Sequence, residues 1–225
     1  MDGPEYMSET ENITLCPDIE KPNRHNLPDA AHADICLPRE VTILAPGRNG
    51  RFFWQQARGC VIAVNRAIQI PLSPPLQKDI WIVADHLALR TGWMNAGLNN
   101  YYGCKIFSED INNQLAYPGN YTFWMHPNKE DQVLDFFHLP YRIDCDFFRS
   151  TESVTGIAID FAIRYGALEV NLLGADGGGP YYDDPLTATH NVVNDYVFHS
   201  LQKEIDYFTE RGIKFNAISP TRLVI

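Results

Sequence analysis

The sequence predicts a Rossmann-like α/β protein, with a mainly parallel sheet covered by helices on both faces. Short, almost continuously apolar segments alternate with helical patterns along the chain, as parallel strands buried on both faces do. The clearest unit, 150–190, runs from a helix through a glycine and an apolar strand to an acidic, glycine-rich loop. A length of 225 residues suits one domain with a full core. We therefore expect a single domain that binds ligands beyond the carboxyl ends of its strands.

The first half of the chain is predicted to open as strand, loop, short helix and strand. The apolar run VTILA at 41–45 is closed by PGRNGR, and FFWQQARG after it is predicted as one short helix. CVIAVN and DIWIVAD are then two further buried strands. In the middle, CKIFSED and YTFWMHP are predicted as short strands from their β-branched and aromatic content. NKEDQVLDFFHL is predicted as a helix with its acids at the favoured amino end.

The second half predicts a helix after Ser150, a strand in LEVNLL, a helix from about 191 to 210 and a last strand in IKFNAIS. Gly166 and Gly212 are predicted to end the two helices. The first of these helices is expected to bury a single face. That face carries Val154, Ile157, Ala158, Phe161, Ala162 and Tyr165.

Residues 1–38 differ in composition from the rest of the chain. Prolines recur there among acids and amides without helical or strand periodicity, so we expect an N-terminal arm outside the core. The domain then spans 39–225. The arm is expected to wrap either this domain or the partner subunit of a homo-oligomer.

The charge and cysteine content exclude some classes of protein. Eighteen Lys and Arg against 28 Asp and Glu give a net charge of −10, which argues against bulk nucleic-acid binding but not against a nucleotide held by local groups. Five scattered cysteines without a CxxC pair indicate reduced thiols. With no apolar run of about 18 residues, a transmembrane segment is not expected, and we predict a cytoplasmic protein.

The loop after the first strand is a candidate phosphate site. In a doubly wound fold this loop meets the phosphate, and here it offers Gly47, Arg48, Asn49 and Gly50. Its sequence is neither GxGxxG nor a Walker A motif. The alternative interpretation is an ordinary strand-to-helix turn.

Polar residues also follow the second and third strands. Asn65 and Arg66 are placed to bind a base or a phosphate, although Asn commonly just closes a turn. Asp85 is placed to act as a base or to hold a metal-bound phosphate. The alternative for Asp85 is capping of the helical segment that follows it.

The unit at 150–190 supplies the strongest candidates. Ser150, Thr151 and Ser153 begin a helix, a position that suits an anion, although capping alone explains one hydroxyl. Gly174 and Asp176 follow the strand. Three glycines from Gly177 onwards then indicate unusual dihedral angles or close ligand approach.

The same loop ends in a histidine. Asp183, Asp184 and His190 are candidates to complete a site with Asp176, the histidine as general base. A solvated acidic loop is the alternative for the first two.

Several of these segments together resemble a known family. CVIAVNRAI, DIWIVADH, STESVTGIAIDFAIRYGALEVNLLGADGGG, TATH and IKFNAISPTRL are similar to the domain of unknown function 115 family. That family includes archaeal 6-hydroxymethylpterin pyrophosphokinases and motility-associated Maf glycosyltransferases, and is distantly similar to bacterial sialyltransferases. The resemblance covers about 41–225. The first loop departs from the pattern, since members usually carry Gly-Pro-Ser there and this chain has APGRNG.

The resemblance implies a nucleotide-dependent transferase that acts on a hydroxyl acceptor. Glycosyl transfer from a nucleotide sugar is the leading interpretation, and diphosphoryl transfer from ATP with Mg²⁺ on Asp85 and Asp176 is the alternative. A non-catalytic nucleotide-binding or assembly protein is the third. The implied ligand contacts are the Gly47 loop, Asn65, Asp85, the 150–153 helix start, Asp176 and His190, with Asp176, His190 and Asp85 as catalytic groups.

Overall fold

The computed structural model describes residues 30, 34–72, 77–116, 118–123, 153–177, 181 and 195–225. A seven-stranded sheet runs through these residues in the order β5-β4-β3-β2-β1-β6-β7, and all its strand pairs are parallel. The predicted Rossmann-like α/β class is confirmed. The strands are β1 Glu40–Leu44, β2 Cys60–Val64, β3 Ile80–Val83, β4 Cys104–Ser108, β5 Tyr121–Phe123, β6 Glu169–Leu173 and β7 Lys214–Ala217.

The α-helices are α1 Gly50–Phe53, α2 Gly92–Asn100, α3 Glu109–Asn112, α4 Val154–Arg164 and α5 Asp195–Thr209. Short 3-10 helices cover Trp54–Gln56, Asn65–Gln69 and His86–Arg90. The single helix predicted over FFWQQARG is therefore two short pieces, and the helix predicted over NKEDQVLDFFHL lies outside the described residues. Across the part of the chain that the structure describes, each helix is too short or too polar to span a lipid bilayer.

Helices cover both faces of the sheet, as predicted. Successive strand residues point to opposite faces, so neighbouring positions enter different cores. Ile62 and Ile82 belong to the core under α4 and α5, whereas Ala63 and Trp81 belong to the core under α2. The apolar runs lack a polar alternation because both faces are buried.

The strand order places a topological switch point between β1 and β6. β1 pairs with β2 on one side and with β6 on the other, with Ile43 opposite both Ile62 and Leu172. The chain runs outward from β1 to β5 and then returns to the other side of β1. Loops leaving β1 and β6 therefore meet at one edge, where open α/β sheets form their ligand crevice.

Helix α4 is buried on more than the one face that was predicted. Asp160 and Arg164, outside the expected face, are 0% and 3% exposed and lie 3.6 Å apart as an i,i+4 ion pair. The predicted face is confirmed in the core, and other positions are buried as well because α4 packs against β1–β3 on one side and α5 on another. The predicted stop is confirmed at Gly166, whose φ is +110° and whose N–H donates to the Ile163 carbonyl.

The end of the predicted arm belongs to the core. Ala30 and Leu37 are buried in the cluster that contains α4. The Leu37 N–H donates to the Tyr165 carbonyl at 3.0 Å, and the Tyr165 hydroxyl donates to the Ala30 carbonyl. Pairing of this segment with the end of α4 corrects the expectation that all of 1–38 lies outside the core.

The buried ion pair of α4 predicts a large loss of stability when one partner is neutralised. Asp160→Asn leaves the Arg164 charge buried, which costs about 3–5 kcal/mol and should lower Tm by roughly 6–20 °C. The control is Glu210→Gln in the exposed Glu210–Arg211 pair, expected to change Tm by about 2 °C or less. Thermal unfolding by circular dichroism checks both. Equal, small shifts in the two variants would show that the buried pair carries no such charge penalty.

Candidate functional site

A cavity of about 360 Å³ opens at the carboxyl ends of β1, β2, β3 and β6. This is the switch-point edge, where the sequence analysis expected the ligand. The strand-end loops form one wall, and the first turn of α4 forms another. Residues 45–47, 64–65, 85, 153–155, 174–177, 181, 197–198 and 201 line it.

The loops after β1 and β6 are held face to face. The Gly47 N–H donates to the Gly174 carbonyl at 2.9 Å, and the Asn49 N–H donates to Asp176 Oδ2 at 3.0 Å. A Cβ on Gly47 would lie 2.6 Å from Asp176 Cγ, so only glycine permits this approach. Gly174, at φ +70°, would likewise place a Cβ 3.2 Å from the Gly47 carbonyl oxygen.

This contact bears on the phosphate-binding role predicted for the first loop, which stays a prediction. Its N–H groups at Gly47, Asn49 and Gly50 bond to protein acceptors rather than forming a cradle for phosphate. Arg48, Asn49 and Gly50 do not line the cavity. The physical reason is that a carboxylate already satisfies amides that a GxGxxG loop would present to a ligand.

Asp176 is the most perturbed acid of the cavity. Burial raises the pKa of its carboxyl, while hydrogen bonds from Asn49 and from the Arg48 N–H oppose that rise. Its Oδ2 accepts from Asn49, but its buried Oδ1 accepts no hydrogen bond from any described residue. One oxygen therefore fixes the side chain, and the other is buried without a hydrogen-bond partner among the described residues.

Asn65 contributes a second buried acceptor and a strained backbone. Its φ is +49°, which makes it the one non-glycine residue with positive φ in the described ranges. The Trp81 indole N–H donates to its carbonyl at 2.9 Å and holds the turn. Its side-chain Oδ1 is buried without a hydrogen-bond partner among the described residues. Such strain concentrates at ligand sites, where the surrounding structure imposes it.

Asp85 caps the 3-10 helix that follows β3, as the alternative interpretation predicted. Its Oδ1 accepts from the Leu87 N–H at 2.8 Å. The side chain is 56% exposed, and His86 Nδ1 lies 3.9 Å from the same oxygen. Capping occupies one oxygen of a carboxylate that also lines the cavity, so the cap holds Asp85 in place at the cavity mouth.

The first turn of α4 faces the cavity with its amide end. Ser153 is the N-cap, and its Oγ accepts from the Thr155 N–H at 3.2 Å. Both residues line the cavity. An 11-residue helix directs partial positive charge outward at this end, which suits an anion.

Four predicted residues lie outside the described part of the chain: Ser150, Thr151, Asp183 and Asp184. His190 also lies outside it. Arg66 is described, and it lines a neighbouring cavity instead of this one.

Asp85 and Asp176, the two predicted Mg²⁺ ligands, stay a prediction from the sequence. Asp85 and Asp176 line the same cavity, yet each already accepts a backbone N–H. Across the described ranges no group of three His, Cys, Asp or Glu side chains comes close enough to hold a metal. With only two carboxylates, Mg²⁺ would take its remaining oxygen ligands from waters and from the phosphates of a bound nucleotide.

The C-terminal segment after β7 supports the Asp176 loop, a role that the sequence analysis did not predict. Ser219 Oγ accepts from the Gly174 N–H at 2.9 Å, and Thr221 Oγ1 donates to the Ala175 carbonyl at 2.5 Å. Arg222 Nη1 donates to the Gly177 carbonyl at 3.0 Å. The signal for this role in the sequence was the group Ser219, Pro220 and Thr221, which directly follows the last apolar run.

Two aromatic lining residues were also missed as site residues. Tyr181 forms a β-bridge with Gly47 and lines the cavity. Phe198 of α5 lines it too, and a Cβ on Gly177, at φ +75°, would lie 2.7 Å from the Phe198 ring. Glycine is therefore favoured at position 177 both by the positive φ and by the close approach of the Phe198 ring.

Solved structures share this fold. A Maf glycosyltransferase from Magnetospirillum magneticum AMB-1 matches with a TM-score of 0.53 at 13% identity, over 85% of this chain and 33% of that one. The chain thus spans about a third of that protein's length. The sialyltransferase CstII from Campylobacter jejuni, in complex with CMP-3FNeuAc, matches at 14% identity with a TM-score of 0.48, over 81% and 82% of the two chains. No protein-family model matches, and no curated protein does either.

The raised pKa of Asp176 predicts how a neutral replacement changes stability with pH. Because the folded pKa lies above the ordinary value of 3.8, this carboxyl favours folding only while protonated, and that contribution is lost as pH rises through the raised pKa. Asp176→Asn keeps an acceptor for the Asn49 N–H. We expect its Tm to equal or exceed the parent's at pH 7, with the difference shrinking towards pH 4.

Thermal unfolding at both pH values checks this, with Asp176→Ala as the matched control. Alanine removes the acceptor for the Asn49 N–H, so this variant should have a lower Tm than Asp176→Asn at pH 4 and at pH 7. A lower Tm for Asp176→Asn than for the parent at pH 7 would contradict the assigned burial cost.

Proposed function

We propose that this chain is a glycosyltransferase that takes a nucleotide sugar as donor and a hydroxyl group as acceptor. The observation that carries the proposal is a pair of buried side-chain oxygens without a hydrogen-bond partner, Asp176 Oδ1 and Asn65 Oδ1, on two residues that line one switch-point cavity in the described part of the chain. A buried acceptor without a partner is costly unless a ligand supplies a donor. Ribose hydroxyls and base amino groups are such donors.

The nucleotide phosphate has a matching place in the same cavity. The first turn of α4 lines this cavity at 153–155 and directs the positive end of the helix dipole towards it, with the Thr155 N–H donated to the Ser153 cap. The first loop cannot serve equally well, because Asp176 and Gly174 accept its amides. We therefore assign the phosphate to α4 and the nucleoside to Asn65 and Asp176.

The chemistry that fits is displacement at the anomeric carbon of the donor sugar. The acceptor hydroxyl oxygen forms a bond to that carbon, and the bond from the carbon to the phosphate oxygen breaks. The nucleotide leaves with the bonding electron pair and is stabilised at the α4 amino terminus. Asp85, fixed at the cavity mouth by its cap, takes the acceptor proton. His190 remains the other base predicted from the sequence.

The shared fold supports this class of reaction. One of the matched solved structures is a Maf glycosyltransferase, and the likeness covers 85% of this chain and 33% of that one. Since fold alone does not determine function, the proposal depends on the site. In this proposal residues 39–225 form the transferase domain, and most of 1–38 is an arm attached to it.

A nucleotide panel tests the donor class, because a ligand that binds only the native state raises its Tm. CMP, CDP, UDP, GDP and ATP are compared with and without Mg²⁺. We expect a sugar-carrier nucleotide to raise Tm without metal. Stabilisation by ATP alone and only with Mg²⁺ would instead indicate diphosphoryl transfer, and no shift with any nucleotide would overturn the proposal.

Two variants of Asn65 separate the amide from the backbone strain. Asn65→Gly accepts φ +49° readily but lacks the amide, so it should stay as stable as the parent and lose the nucleotide-dependent Tm shift. Asn65→Ala should lose the shift and also about 1 kcal/mol of stability, or roughly 2–4 °C. Retention of the full shift in Asn65→Gly would remove the side chain from the binding site.

Substitution of the proposed base predicts a loss of turnover without loss of the fold. Asp85→Asn still caps the 3-10 helix, since Asn is as good a cap as Asp, but it cannot take a proton. Turnover of the nucleotide sugar should fall about 10²–10⁴-fold with nucleotide binding retained. Released nucleotide is measured, with Asp110→Asn on α3 as the control. Parent-like turnover in Asp85→Asn would exclude Asp85 as the base.

A further inference from the structure

A second cavity of about 480 Å³ adjoins the first. Pro46, Asn65, Asp85 and Tyr181 line both, so these residues form a shared wall. The second cavity lies over the ends of β2 and β3. Its other side consists of the 3-10 helices Asn65–Gln69 and His86–Arg90 and the first turn of α2.

Close packing fixes the position of α2 beside this cavity. A Cβ on Gly97 would lie 2.5 Å from Trp81 Cη2, so the helix sits directly on the buried Trp81 ring. The same indole donates to the Asn65 carbonyl at 2.9 Å. One core side chain therefore positions both the shared wall and the helix opposite it.

The lining combines apolar surfaces with groups that bind hydroxyls. Trp93, Leu87 and Tyr181 supply apolar or aromatic faces, and the Arg66 guanidinium lies 4.4 Å from the Tyr181 ring centroid. Gln69 and Thr91 add an amide and a hydroxyl, which already donate to the Trp93 and Ala88 carbonyls and offer their oxygens as acceptors. Arg66 and Asp85 bring one positive and one negative charge. Apolar walls with a few polar groups at the edge match a pyranose ring, which has C–H faces and hydroxyl edges.

We propose that the second cavity binds the acceptor as a pyranose sugar, an inference that rests on the proposed glycosyl transfer. The leaving phosphate lies at the α4 side of the first cavity, and the attacking hydroxyl must approach the anomeric carbon from the opposite side. Asp85, on the shared wall, is adjacent to both. An acceptor in the second cavity therefore presents its hydroxyl to Asp85 and to the donor carbon together.

Gly92 allows this cavity to be blocked without disturbing the fold. It lines the second cavity at the start of α2, and a Cβ there meets no atom within 4 Å. Gly92→Trp should place a large ring in the cavity. Asn99→Trp is the matched control, because it adds the same ring at an exposed position of the same helix. Trp93→Ala is a second variant that removes an apolar wall instead of filling the space.

The probes are methyl β-D-galactopyranoside and the methyl α-glycoside of N-acetylneuraminic acid, followed by saturation-transfer NMR with and without the stabilising nucleotide. We expect at least one glycoside to bind the parent and Asn99→Trp. Its affinity should fall at least tenfold in Gly92→Trp and in Trp93→Ala. The dissociation constant of the nucleotide should stay within twofold in all variants.

The inference would be overturned if Gly92→Trp bound the glycosides as tightly as the parent, or if the nucleotide-saturated parent bound neither glycoside. It would also be overturned if Gly92→Trp lost more affinity for the nucleotide sugar than for the free nucleotide. The last result would place the donor's own sugar in this cavity. Failure of the proposed function is distinguishable, because it appears as absence of nucleotide binding to the parent.

Discussion

The direct contact between the loops that leave β1 and β6 determines how the site is built. Parallel pairing of these strands brings their carboxyl ends side by side. The absence of a side chain at Gly47 then allows the two loops to touch, and the Asn49 N–H fixes the Asp176 carboxylate. A carboxylate held in this way keeps one oxygen directed away from its protein partner. The cavity and its most perturbed acid are thus consequences of strand order.

The site carries several unfavourable features that the sheet must offset. Asp176 is a buried acid with a raised pKa, and Asn65 has a left-handed backbone conformation. Each is held by a contact from a rigid element, since the Trp81 indole fixes Asn65 and the segment after β7 fixes the Asp176 loop. Strain of this kind is retained where it preorganises a site.

The sequence predicted the fold better than it predicted the roles of site residues. Continuous apolar runs such as CVIAV identify strands because both faces of a parallel sheet are buried, and Gly166 marks a helix end because only glycine adopts φ +110° easily. The sequence also shows directly which polar residues follow each strand. What Gly47 contacts, by contrast, depends on β6, which lies more than 120 residues later. Local pattern contains no such information, so an amide used by Asp176 was interpreted as a phosphate ligand.

The contacts of Ser219, Thr221 and Arg222 with the Asp176 loop also depend on which strands are neighbours in the sheet. β7 pairs with β6 in parallel, so whatever follows β7 emerges beside the loop that follows β6. Hydroxyl and guanidinium groups at that point can bond to the loop's backbone without entering the cavity.

Under the proposed function, the departure of the first loop from the usual phosphate-binding patterns goes with a different place for the phosphate. In a GxGxxG loop the amides after β1 face the ligand, but here they stabilise a carboxylate that would otherwise be buried without hydrogen bonds. A negative Asp176 next to that loop would repel a phosphate bound there. The first turn of α4, across the cavity, is free of this conflict and has the helix dipole in its favour. The acid and the helix amino terminus lie on different walls of the cavity. In the proposed binding mode, this arrangement separates the phosphate of the nucleotide from the groups that donate hydrogen bonds.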